Sequence, residues 1–270
     1  MKTEHPSPRF ADIDLWKPHD ILEGMIGGQF TAVAAVREAL PHIENAALAM
    51  ETRLRSKGRI IYAGAGTSGR LAVQDGAELM PTFGWSPDRL LLLIAGGDEA
   101  MVQAVEGAED QAEHAADLVR RHAIGPDDTL IAVAASGTTP FTLACLREAT
   151  QRKALTIGIA NNPDTPILRD ANHGIFLDTG AEPIAGSTRM NAGTAQRITL
   201  NLLSTLLMIR LGRVYRGLMI EVQATNSKLT KRKKDMLLYL TGKSEDVVQN
   251  ALVRAGAASR LRSCCCTDVT

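Results

Sequence analysis

The chain has 270 residues, 45% of them apolar and 22% charged, which is enough for one large hydrophobic core or for one domain with a small appendage. Lysine and arginine together number 30, and so do aspartate and glutamate. That balance gives no basic excess for nucleic acid and no polybasic tract for a membrane surface, and it favours a small polar ligand as partner.

The opening residues Met-Lys-Thr-Glu-His-Pro-Ser-Pro contain no apolar signal core, and no uncharged run reaches the roughly 18 residues of a spanning helix, so a cytoplasmic protein is expected. After a polar leader over 1–30, apolar side chains at Val36, Leu40, Ile43, Ala47, Met50 and Leu54 recur every three or four positions. They predict one long helix across 31–57, with Pro41 as a place to kink and Gly58 as its stop. Short apolar runs then follow at 59–63, 90–95, 130–135, 155–160 and, more weakly, 174–178, each closed by glycine or small polar residues and succeeded by a helical pattern. Unbroken apolar strands alternating with helices predict a parallel sheet buried on both faces, an open doubly wound α/β domain that binds ligands beyond its strand C-termini.

The helix after the first strand is expected to end near Met80-Pro81, and another is expected over 99–121, with Val102, Val105, Ala112 and Ala116 as its buried stripe. Residues 190–209 are apolar on nearly every side, with Ile198, Leu200, Leu202, Leu203, Leu206, Leu207 and Met208, which predicts a helix buried all round, either central or at a dimer interface. Beyond Asn226 the chain turns polar at 231–234, and a short helical pattern spans 244–255. The expected division is therefore a leader (1–30), an α/β domain (31–225) and a small helical C-terminal appendage (226–270). Cys145 and the adjacent Cys264, Cys265 and Cys266 match neither a zinc spacing nor a disulfide framework and read as free thiols, with no metal site expected.

The first strand runs into Gly64-Ala65-Gly66-Thr67-Ser68-Gly69-Arg70, formally a G-x-G-x-x-G loop opening a helix. A dinucleotide site would also want an acidic residue at the end of the second strand, about 20 residues on, to hold the ribose hydroxyls. Arg89 stands at that distance, and the second strand closes on Ala95-Gly96-Gly97. The better reading is a phosphate monoester held by the N–H groups of the helix N-terminus, with Thr67 and Ser68 as further donors. Arg70 in the first helical turn opposes the dipole and so favours a bound anion there. The third strand repeats the arrangement with Ser136-Gly137-Thr138-Thr139-Pro140, and two hydroxyl-rich strand ends facing one crevice suit a phosphosugar. Taken singly, each stretch is more often a helix cap, and it is their coincidence that favours the ligand reading.

Two carboxylates stand out. Glu109 falls in the expected buried stripe, where an unpaired charge is costly, and Glu78 lies where the helix dipole's negative end would favour a protonated acid. Each is open to two readings, a catalytic group or a structural one.

The ordered stretches 61–71, Asp75-Gly76-Ala77-Glu78 with Pro81-Thr82-Phe83-Gly84, Ile94-Ala95-Gly96-Gly97, 104–110 and Ala134-Ala135-Ser136-Gly137 resemble the N-acetylmuramic acid 6-phosphate etherases of the sugar isomerase (SIS) class. So do Gly186-Ser187-Thr188-Arg189-Met190 and Ala192-Gly193-Thr194-Ala195-Gln196, then Leu200-Asn201, Leu203-Ser204-Thr205, Ala224-Thr225-Asn226 and Lys228-Leu229. The likeness spans roughly residues 12 to 255 and extends more distantly to the glucokinase regulatory protein. It implies a SIS-type five-stranded sheet and a cofactor-independent lyase that releases D-lactate from its substrate. By motif, Glu78 becomes the proton donor to departing lactate and Glu109 the base. Gly66, Thr67, Ser68, Gly69, Arg70, Ser136, Gly137, Thr138, Ser187, Thr188 and Arg189 become the substrate-binding residues. The chain departs from the family pattern at Thr138 and Asn191, where an Arg and a Lys are common, at Gly76 and Ala77, where Ala or Ser is common, and after Arg254. A non-catalytic sugar-phosphate sensor and an aldose–ketose isomerase are the alternative functions, and a homodimer is the expected assembly.

Overall fold

Five short strands form the centre of the molecule, and they are apolar without alternation because the middle three are covered on both faces. The computed structural model describes residues 1–221 and 227–255, so Cys264, Cys265 and Cys266 and the rest of the final stretch lie outside the described residues. The strands are β1 (Ile60–Gly64), β2 (Leu90–Ile94), β3 (Thr129–Val133), β4 (Leu155–Ala160) and β5 (His173–Phe176), all parallel in the order β2-β1-β3-β4-β5. Every residue of β1, β3 and β4 is buried, whereas the edge strands β2 and β5 are only partly so. The five strands coincide with the five apolar runs, and the sheet is the doubly wound one expected.

The connecting helices are α1 (Pro18–Leu54), α2 (Gly66–Phe83), α3 (Ala112–Arg121), α4 (Pro140–Gln151), α5 (Pro166–Asp170) and α6 (Asn191–Arg210). On one face of the sheet, Ile61, Ala63, Leu93, Leu130 and Ala132 form a core with Ala115 and Val119 of α3 and Phe141, Cys145 and Leu146 of α4. Burying each large aliphatic side chain contributes about 1.5–3 kcal/mol. Within that core Cys145 is a free thiol whose pKa burial pushes up to about 12. Helix α1 covers the sheet along β3, β4 and β5.

Several elements differ from the sequence expectation. Helix α1 begins at Pro18 and absorbs much of the expected leader, although Gly24, Gly27 and Gly28 weaken helix propensity there. All three are close-approach positions, and a Cβ on Gly27 would lie 2.5 Å from Arg9 Nη2. A Cβ on Gly28 would lie 2.6 Å from Asn191 Oδ1, and one on Gly24 would lie 3.1 Å from the Trp16 ring. The helix continues through Pro41, and α2 continues through Pro81 to Phe83, because a proline removes one intrahelical bond and the next turn still closes through Gly84 N–H to Met80 O at 2.9 Å. The expected helix over 99–121 is two short 3-10 turns, Gly97–Met101 and Ala108–Asp110, followed by α3, since Gly96, Gly97 and Gly107 all take positive φ. Val102, placed in the buried stripe by periodicity, is 86% exposed. Helix α6 is not buried all round: Leu202 and Ile209 are exposed.

The chain divides into two compact units, Met1–Gly76 with Asp88–Leu207, and Ala77–Pro87 with Met208–Thr270. The second contains the two-stranded β6 (Val214–Tyr215) and β7 (Leu218–Met219), then α7 (Ser227–Thr241) and α8 (Glu245–Ala255). Helix α7 was not expected from the sequence, whose polar run at 231–234 it contains. Met236 and Leu237 nevertheless form a small core with Ile220 and Val248, and Lys234 pairs with Glu245. Arg213 in this unit donates to the carbonyls of Phe83 (3.1 Å) and Gly84 (2.9 Å) and lies over the Trp85 ring. No helix among the described residues is long and apolar enough to cross a membrane.

Candidate functional site

The sheet order places β1 and β3 side by side, with β2 wound to one side and β4 and β5 to the other, so the topological switch point lies between β1 and β3. A cleft of about 380 Å³ opens there, beyond the strand C-termini. Ala65, Gly66, Thr67 and Ser68 line it from the β1–α2 junction, and Ala134, Ala135, Ser136, Thr138, Thr139 and Pro140 from the β3–α4 junction. Gly186 and Thr188, from the loop before α6, together with Glu109 and Glu4 complete the lining.

Local backbone geometry explains why these junctions have their sequence. A Cβ on Gly64 would meet Gly69 Cα at 2.8 Å, and one on Gly69 would meet Gly64 O at 2.9 Å, so only this pair of glycines lets α2 start hard against the end of β1. The free N–H groups of the first turn of α2 and the positive end of its dipole are thereby brought to the cleft. At the other junction Gly137 has φ +70°, and a Cβ there would lie 2.2 Å from Thr165 Oγ1. The turn is closed by Thr138 N–H donating to Ser136 Oγ at 3.2 Å and by the Ser136–Thr139 hydroxyl pair at 3.2 Å. Hydroxyls, backbone donors and two helix N-termini are chemically suited to an oxyanion with several oxygens.

Of the residues singled out from sequence, Gly66, Thr67, Ser68, Ser136, Thr138, Thr188 and Glu109 line this one cleft, whereas Gly69, Arg70, Gly137, Ser187 and Arg189 do not. Gly69 and Gly137 shape the backbone instead. Arg70 has a different occupation: its Nε donates to Ala100 O at 2.7 Å and its Nη2 to Gln103 O at 3.0 Å. The guanidinium ties the 97–103 segment to the start of α2, and among the described residues no lysine or arginine lines the cleft.

Glu109 sits in the 3-10 turn Ala108–Asp110, anchored by the buried Ala108 and released from helix geometry by Gly107 at φ +68°. It is exposed into the cleft rather than buried in a stripe, because the helix that would have carried the stripe does not form. Glu78 lies in the second unit, exposed on α2, with a further turn of helix beyond it. It is not among the residues lining the cleft.

Three features were given no role from the sequence. Glu4 reaches the cleft from the expected leader. Glu182 is 1% exposed and caps α6, accepting from Asn191 N–H at 2.9 Å and Ala192 N–H at 2.8 Å. Burial pushes its carboxyl above the ordinary range, and those two N–H groups pull it part of the way back. Asp75 is buried on α2 and accepts from Tyr62 Oη at 2.7 Å, Asn201 Nδ2 at 2.6 Å and Ser204 Oγ at 3.2 Å, joining α2 to β1 and α6. Burial, and then the Asp75 charge, raise the Tyr62 phenol well above its usual value, so it stays a donor.

Comparison with known proteins matches this architecture. The family model for the glucokinase regulatory protein N-terminal SIS domain matches residues 42–150, and the SIS domain model matches residues 101–209. Among solved structures, a phosphoheptose isomerase from Francisella tularensis superposes with a TM-score of 0.55 at 20% identity, covering 72% of this chain and 100% of that one, a likeness of fold. The chain is 45% identical over 252 residues to the N-acetylmuramic acid 6-phosphate etherase of Streptomyces coelicolor, covering 93% of this chain and 81% of that protein. It is 48% identical over 257 residues to the etherase of the same name from Deinococcus radiodurans, covering 95% of this chain and 84% of the relative. An identity of that size over almost the whole length, on a SIS-type sheet, means that the chain belongs to the N-acetylmuramic acid 6-phosphate etherase family.

Proposed function

We propose that this protein is an N-acetylmuramic acid 6-phosphate etherase, a carbon–oxygen lyase that converts its substrate to N-acetylglucosamine 6-phosphate and D-lactate. The observation that carries this reading is the switch-point cleft, where two helix N-termini and a set of hydroxyls suited to a phosphate share one wall system with a carboxylate, Glu109. The phosphate binds at the start of α2 and at the β3–α4 turn, with Thr67, Ser68, Ser136 and Thr138 donating. Thr188 lines the same cleft, whereas its chain neighbours Ser187 and Arg189 enter the substrate-binding set by motif alone.

The chemistry runs on the ring-opened sugar. Glu109 takes the C2 proton, which the neighbouring aldehyde acidifies, and the electron pair forms the C2–C3 double bond as the C3–O bond breaks. The proton for the departing lactate oxygen is assigned to Glu78 on its motif alone, since that carboxyl is not among the residues lining the cleft. Water then adds, hydroxyl to C3 and hydrogen to C2, and N-acetylglucosamine 6-phosphate results. Every atom is supplied by substrate, water and these two carboxyls, so the sequence of steps requires no cofactor. We place the enzyme in the cytoplasm, in the amino-sugar catabolism that recycles peptidoglycan. It works as a homodimer, a reading supported by Leu22, Ile26, Phe30 and Val33, which expose one continuous apolar stripe along α1; a compact active monomer at micromolar concentration in light scattering would remove it.

Incubation with N-acetylmuramic acid 6-phosphate and assay of free D-lactate tests the function. Lactate release is expected. Binding without lactate would favour a sugar-phosphate sensor, and ketose formation without lactate would favour an isomerase.

A further inference from the structure

Outside the strand-to-helix junctions, the segment 2–5 brings one residue to the cleft. Thr3 is fully buried. Its hydroxyl accepts from Asn162 Nδ2 at 2.9 Å, its N–H donates to Asn162 Oδ1 at 3.4 Å, and its carbonyl accepts the Gly186 N–H at 2.9 Å. Asn162, also buried, donates to Ala135 O at 2.9 Å, one residue before Ser136. Lys2 pairs with Asp178 at 2.7 Å. The segment is thus fastened beyond the ends of β3, β4 and β5 and to the loop before α6. Of these residues only Glu4 lines the cleft. A Cβ on Gly186 would come within 3.1 Å of Glu4 Oε2, so the absence of a side chain at 186 leaves room for the carboxylate.

A carboxylate in this position is unsuited to holding a phosphate, because like charges repel. Ionised, it only accepts hydrogen bonds, so its counterpart on a phosphosugar is a hydroxyl. We infer that Glu4 is a specificity-determining residue that accepts a hydrogen bond from a hydroxyl of the bound sugar, with Thr3 and Asn162 as the positioning residues that aim it. The inference rests on the phosphosugar reading of the cleft. It makes the site two-sided: donors on the strand-to-helix junctions take the anion, and an acceptor on the clasped segment takes the carbohydrate. A bare phosphate satisfies only the first side.

Calorimetric titration of N-acetylglucosamine 6-phosphate and, separately, of inorganic phosphate into the wild type, E4A, E4Q and N162A separates the two sides. In E4A the sugar phosphate is expected to bind about tenfold more weakly, the loss of one hydrogen bond to a charged group, while inorganic phosphate binds as before or more tightly. E4Q should fall between wild type and E4A. N162A should weaken the sugar phosphate by a smaller factor, and E4A/N162A should be no weaker than E4A, because Asn162 acts through Glu4. Equal weakening of both ligands in E4A would overturn the inference and make the segment a scaffold for the phosphate site. Unchanged sugar-phosphate affinity in E4A, or no binding of the sugar phosphate by the wild type, would also overturn it. The lactate assay on the same preparations keeps the two readings apart: a wild type that releases no lactate removes the etherase function, whereas an active wild type with an unaltered E4A removes Glu4 alone.

Discussion

The two sides of the cleft are built by different means. The anion side is made of strand-to-helix junctions, where Gly64 and Gly69 interlock and Gly137 turns the chain, so sequence-local backbone geometry presents the donors. The carboxylate side is made of short 3-10 turns, with Glu109 anchored by the buried Ala108 and Glu4 by the buried Thr3. Placement there depends on contacts between residues far apart in the chain, such as Thr3 with Asn162. The anion side comes with the fold; the carboxylate side is attached to it by a few tertiary bonds.

The largest effects should come from the carboxylates. In Glu109→Gln both lactate release and C2 hydrogen exchange in heavy water should fall by roughly 10²- to 10⁴-fold, the contribution of a positioned acid or base. In Glu78→Gln lactate release should fall by a similar factor while C2 exchange, followed by proton NMR, continues. Exchange surviving in the Glu109 variant and lost in the Glu78 variant would reverse the two roles.

A smaller effect is expected on the anion side. Ser68→Ala and Ser136→Ala should each raise KM by about tenfold, since a lost hydrogen bond to a charged group costs about 1.5 kcal/mol. Substrate lacking the phosphate should be poor for the wild type. Wild-type kinetics in both variants, with the dephosphorylated sugar turned over normally, would move the anion site elsewhere.

The smallest effect belongs to the far end of the sheet and serves as a control. Asp128 accepts from the Arg59 Nη2 at 2.7 Å and from the N–H groups of Arg59 and Gly125, each at 3.0 Å. Burial opposes ionisation of Asp128, but the guanidinium and the two N–H groups outweigh it and hold the carboxyl below its ordinary value of 3.8. A carboxyl lowered in this way stabilises the fold fully above its unfolded-state value, and the stabilisation is lost as pH falls through the folded-state value. Asp128→Asn should therefore cost about 1 kcal/mol at neutral pH, with the two Tm curves converging in acid and KM untouched. A changed KM would show that the two ends of the sheet are coupled.

The same contrast accounts for what the sequence revealed. The five strands were legible because burial on both faces leaves unbroken apolar runs, and the strand-to-helix lining of the cleft was legible because its glycines and hydroxyls sit in two continuous stretches. Glu109 stood out in the sequence by its place in an expected stripe as well as by motif, but its surroundings were misjudged: periodicity implied a helix that Gly96, Gly97 and Gly107 interrupt. Glu4 and Glu182 carried no local signal, and Asp75 stood in a matched stretch without a role of its own. A lone carboxylate in a polar stretch looks the same whether it faces solvent or is brought to a cleft by a buried threonine one residue away. Arg70 misled in the opposite direction, since a cation in a first helical turn has a second solution in carbonyl oxygens from a neighbouring segment.

That second solution has a thermodynamic consequence. By bonding Ala100 and Gln103, Arg70 orders part of the segment that leads to Glu109 while the protein folds, without waiting for a ligand. The entropy of arranging that stretch is therefore lost at folding and not at each encounter with substrate, so less of the intrinsic binding energy is consumed in building the site and more remains for holding the sugar in a reactive geometry.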